Sequence, residues 1–115
     1  MGTAQEHIWT FMSNYAHALV CVARDPDATL REIADRVGIT ERAVHRIVSE
    51  LEAAGVIRID RSGRSHHYEI DVSTPLRHPL EEAKTVGDLL FALLTPAEAK
   101  ALGLRAAARA KRRPK

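Results

Sequence analysis

The stretch from Leu30 to Ile70 reads LREIADRVGITERAVHRIVSELEAAGVIRIDRSGRSHHYEI; two glycines divide it, and its period changes at the second. Before Gly38, the apolar residues Leu30, Ile33, Ala34 and Val37 fall on one face of a short helix. Thr29-Leu30-Arg31-Glu32 has the form of a capping box, in which threonine and glutamate satisfy the first free amides. Gly38 supplies the left-handed residue that closes this helix. Thr40 then stands as the next N-cap, and a longer helix runs to about Ala54 with Val44, Ile47, Val48 and Leu51 spaced i, i+3, i+4, i+7. Past Gly55 the period becomes two. Val56–Asp60 is a strand, Arg61-Ser62-Gly63-Arg64 a turn, and Ser65–Ile70 a second strand, so the segment ends in a hairpin.

The longer helix has a second stripe. Arg42, His45, Arg46 and Ser49 repeat the same spacing, displaced by two positions, about 200° around the helix, and so face solvent when the aliphatic stripe is buried. Two arginines, an imidazole and a hydroxyl are groups that donate to base edges and phosphates in a DNA major groove. Thr40 and Glu41 stand beside them at the N-terminus. Glu41 either accepts from a cytosine amine or favours the helix dipole.

Two helices joined by a tight glycine turn need a small residue at their crossing, and Ala34 provides it; Val37, Ile39, Val44 and Ile47 fix the angle. The quoted segment resembles a helix-turn-helix. With its hairpin it is similar to the winged helix of MarR/ArsR/IclR-like bacterial transcriptional regulators, a resemblance covering residues 13–70. It implies sequence-specific double-stranded DNA as partner, with residues 40–54 as the recognition helix and Arg61 and Arg64 carrying the wing to the backbone or minor groove. It also implies a two-fold dimer on palindromic half-sites.

Outward from that core, Ser13–Arg24 reads as a central core helix with Ser13 as N-cap, stopped by Asp25-Pro26-Asp27. Residues 1–12 are aromatic-rich. Trp9, Phe11 and Tyr15 lie within seven positions and read as a packing anchor, and His17 as a hydrogen-bonded core histidine. The winged domain is expected over 13–72 and an extended linker over 73–84. C-terminal helices follow over 85–104, starting at Thr85-Val86-Gly87-Asp88 and Thr95-Pro96-Ala97-Glu98. Val86, Leu89, Leu90, Leu93 and Leu94 are too apolar for a lone surface helix. Either they fold back on the domain or they meet their counterparts in a second subunit, and the dimer is the expectation carried forward.

The fold class expected is therefore mainly α with a small β-hairpin, a winged helix-turn-helix with C-terminal dimerisation helices. Its 115 residues, 45% of them apolar, suit a single domain. No apolar run approaches the ~20 residues of a membrane span and no signal segment opens the chain, which points to the cytoplasm. The single cysteine, Cys21, excludes an internal disulfide. From Arg105 onward there are six basic residues and no acid, leaving 11 basic against 15 acidic, a formal −4, over residues 1–104. The pI near 9.0 thus belongs to the tail, residues 105–115, either a salt-sensitive DNA arm or a solubilising end.

No catalytic site, metal or cofactor is expected. There is no phosphate-binding glycine loop, GxSxG or HExxH. His66 and His67 are adjacent on a strand and point to opposite faces. Glu81-Glu82 reads as a solvated helical pair. A winged helix serving protein–protein contact is the alternative, and the acidic body favours it; any small-molecule effector is left open.

Overall fold

The computed structural model describes residues 9–104. The elements follow in the order α1 (Asn14–Arg24), α2 (Leu30–Val37), α3 (Glu41–Ala53), β1 (Ile57–Asp60), β2 (His67–Ile70), α4 (Val86–Leu93) and α5 (Pro96–Ala101). This mostly helical chain with one antiparallel hairpin is a winged helix-turn-helix.

The threonine and glycine caps that sequence predicts are formed. The Thr29 hydroxyl accepts from the Glu32 amide at 3.0 Å, while the Glu32 carboxylate accepts from the Thr29 amide at 2.9 Å. Gly38 adopts φ +88° and its amide donates to the Ala34 carbonyl at 2.8 Å, which closes α2 and turns the chain into Thr40. Thr40 caps α3 by accepting from the Ala43 amide at 3.0 Å. Reciprocal Thr–Asp and Thr–Glu caps start α4 at Thr85 and α5 at Thr95. Ser13 occupies the N-cap of α1 without a side-chain bond.

In the hairpin Ile57 pairs with Ile70, Arg58 with Glu69, Ile59 with Tyr68 and Asp60 with His67. The period-2 alternation sends Ile57, Ile59 and Tyr68 inward and Arg58 and Asp60 outward. The inward set joins one hydrophobic cluster with contributions from every element. Ile33, Val44 and Leu90 are 0% exposed at its centre.

Four expectations need correction. Trp9 and Phe11 do not anchor the core: they are 73% and 87% exposed and pack edge-to-face on each other, with ring centroids 4.9 Å apart. His17 is half-buried and hydrogen-bonds Asn14 Oδ1 at 3.1 Å at the surface of α1, so it is not a core histidine. The segment 73–84 is not an extended linker. It doubles back, with Pro75 bridged to Thr85, the Leu76 amide donating to the Lys84 carbonyl at 2.9 Å and the Val86 amide to the Thr74 carbonyl at 2.8 Å. Glu81 and Glu82 accordingly sit in a turn and not on a helix.

The fourth concerns the apolar C-terminal set. Val86, Leu90 and Leu94 are buried in the protomer's own core, at 2%, 0% and 7% exposure, whereas Leu89 and Leu93 are half-buried. Folding back therefore accounts for three of the five residues expected at a dimer interface, because a side chain spent on the core has no surface left for a partner. No helix among the described residues is long and apolar enough to cross a membrane.

Candidate nucleic-acid interface

Helix α3 is built as an amphipathic rod whose two stripes are cleanly divided. Val44, Ile47, Val48 and Leu51 are 0–9% exposed against α1, α2 and β1. On the other side Arg42, His45, Arg46 and Ser49 are all exposed, as are Thr40 and Glu41 at the N-terminal end. The side chains expected to face DNA are thus brought together on one open surface. Among the described residues Arg42 and Arg46 make no ion pair with an acidic neighbour, so both guanidinium groups are available to an anion.

Two acidic residues at the C-terminal end of this stripe, Glu50 and Glu52, are both engaged. Glu50 accepts a hydrogen bond from the Tyr15 hydroxyl of α1, a contact that holds the Tyr15 phenol above its ordinary titration range. Glu52 accepts from both terminal nitrogens of Arg61, at 3.0 and 3.1 Å. That bidentate contact lowers the Glu52 carboxyl and raises the Arg61 guanidinium from their usual values. Arg61 is therefore tied to α3 and not free at the wing tip. Arg64, across the turn, is exposed and makes no ion pair or side-chain hydrogen bond among the described residues.

The wing is anchored as well as displayed. The Asp60 carboxylate accepts from the Ser62 amide at 2.9 Å, which orders the turn and lowers the Asp60 carboxyl. The Tyr68 amide donates to the Pro26 carbonyl at 2.8 Å, and His67 Nδ1 lies 2.8 Å from Asp27 Oδ1. The Asp27 hydrogen bond raises the His67 imidazole from its ordinary value. Arg58 and Glu69 form a cross-strand ion pair on the outer face. These contacts fix the angle between hairpin and helices, which positions Arg64 relative to the α3 stripe.

Sequence reasoning missed Glu52, Tyr15–Glu50 and Asp27–His67. The last pair spans 40 residues, and no local spacing announces such a meeting. Among the described residues there is no group of three or more His, Cys, Asp or Glu arranged to hold a metal ion. The basic tail from Arg105 lies outside the described residues.

Comparison with known proteins bears on this surface directly. Residues 18–58 match a family described as winged helix-turn-helix DNA-binding. The match runs from within α1 through α2 and α3 into β1, so it includes the whole exposed stripe and stops before the wing tip. No curated protein and no solved structure matches the chain. Over that span the chain is similar to DNA-binding domains of the winged helix-turn-helix type.

Proposed function

We propose that this protein is a cytoplasmic, non-catalytic transcriptional regulator that binds double-stranded DNA sequence-specifically as a symmetric dimer. Helix α3 enters the major groove with Thr40, Glu41, Arg42, His45, Arg46 and Ser49 toward the bases and phosphates. Arg61 and Arg64 meet the backbone or the adjacent minor groove. The observation that carries this is the exposed, unpaired Arg42–Arg46 stripe directly opposite a fully buried aliphatic one.

Half-buried Leu89 and Leu93 are the residues of the C-terminal set with surface left for a second subunit. Leu89 lines an apolar groove of about 510 Å³ with Phe11, Tyr15 and Leu76, which supports a partner copy covering the exposed aromatic residues.

Titration of a labelled duplex at two salt concentrations tests the function. Affinity should fall steeply with salt, with a log–log slope of about −0.9 for each phosphate neutralised. The second reading is a winged helix used for protein contact, favoured by the formal −4 of residues 1–104. Absence of salt-dependent binding would select it.

A further inference from the structure

The sequence of α3 offers an ion pair that its structure does not make. Arg46 and Glu50 stand four residues apart, the spacing at which opposite charges meet on one helix face. Glu50 is the one acid three or four places from either arginine of the stripe. Arg42, one turn before Arg46, carries the same charge, and that repulsion gives Arg46 a further reason to take a carboxylate. Yet no ion pair among the described residues includes Arg46. Glu50 reaches instead to α1, where the Tyr15 hydroxyl donates to its Oε1. Tyr15 is 39% exposed, so a phenylalanine would keep the packed part of the ring and lose only this contact.

We infer that Tyr15 is a positioning residue for the DNA-facing surface: its hydroxyl holds the Glu50 carboxylate toward α1 and so keeps the Arg46 guanidinium free for a phosphate or base edge. The inference rests on the DNA-binding function proposed above. The hold is one of placement and not of saturation. A carboxylate bonded at one oxygen can still accept at the other, but this one stands beyond ion-pair reach of Arg46. A hydrogen bond to an ionised acceptor is of the stronger kind, which suits it to this task. A guanidinium paired within its own helix must leave that partner before it meets DNA, and apparent affinity falls with the fraction of protein in which it is free. Tyr15 thus acts on DNA through two other side chains and without touching it.

The test introduces Tyr15→Phe into three backgrounds, wild type, Glu50→Gln and Arg46→Ala. Affinities for a labelled duplex of mixed sequence are read by fluorescence anisotropy at low ionic strength, where ion pairs are least screened. In the wild-type background the replacement should weaken binding about twofold, the effect of one helical ion pair competing for Arg46. In Glu50→Gln no carboxylate remains to capture Arg46, and in Arg46→Ala no guanidinium remains to be captured. Tyr15→Phe should therefore leave the affinity of both unchanged. Weakening that persists in Glu50→Gln would give Tyr15 a merely structural part and overturn the inference. Weakening that persists in Arg46→Ala would trace the effect to repulsion between Glu50 and the phosphates, and would overturn it too, as would unchanged binding of Tyr15→Phe alone. Wild-type protein that fails to bind the duplex would remove the DNA function itself, and this inference with it.

Discussion

Arg42 and Arg46 carry the functional proposal between them, and their surroundings make it testable without disturbing the fold. Both side chains are exposed and neither is paired, so replacing them removes no packing. Arg42→Ala with Arg46→Ala should change stability by no more than about 0.5 kcal/mol while abolishing retardation of a target duplex. A large drop in melting temperature would show that the stripe is structural. His67 offers a second test at the same scale. Its pKa is raised by Asp27, so the pair contributes stability that is fully present below the unfolded histidine value and is lost as pH rises through the raised folded value. The wild-type melting temperature should therefore decline between about pH 6 and pH 8 by more than that of His67→Gln. Matching declines would show that the Asp27 contact adds nothing.

The helices and the hairpin were legible in sequence because their signals are local. Threonine caps, Gly38 and the 3.6-residue stripes act within one or two turns, and the structure places α2, α3 and the caps of α4 and α5 where those signals stand. The exposed polar stripe of α3 was legible for the same reason, as the complement of a buried stripe. What sequence concealed is where elements meet. Arg61 reads as a free cation at a turn, yet its neighbour is a glutamate on another element. Nor does the helix start Thr85-Val86-Gly87-Asp88 show that the Gly87 amide donates to the Val72 carbonyl, at 2.8 Å. A β-carbon there would stand 3.0 Å from the Val72 carbonyl oxygen and 3.1 Å from its Cβ. Helix propensity alone favours Gly87→Ala by about 1 kcal/mol. Because the carbonyl oxygen is fixed backbone, we expect the opposite sign, a net loss of about 1–2 kcal/mol by chemical denaturation. A stabilised variant would show that α4 shifts freely.

Across the whole molecule, the C-terminal helices complete a core that the helix-turn-helix cannot close alone. Leu90 is fully buried in the same cluster as Ile33 and Val44. Leu90→Ala should cost about 2–5 kcal/mol, a large share of the stability of a domain this size, and denaturant unfolding will measure it. The outward Leu93 separates packing from assembly. Light scattering should give wild-type protein twice the 12.7 kDa chain mass and Leu93→Glu a single chain mass, with folding retained. A wild-type mass of one chain would remove the dimer and leave the DNA surface untouched.

The doubled-back segment from Thr74 to Val86 bears on modularity. It staples α4 to the end of the hairpin through the Val72 and Thr74 carbonyls, and so delivers Val86, Leu90 and Leu94 into the interior from the far end of the chain. A chimera that borrowed only residues 13–72 would inherit a hole in place of those three side chains and an adhesive apolar floor. Transplanting the proposed DNA-binding surface means grafting the α3 stripe onto another scaffold, or carrying the chain through α5 intact.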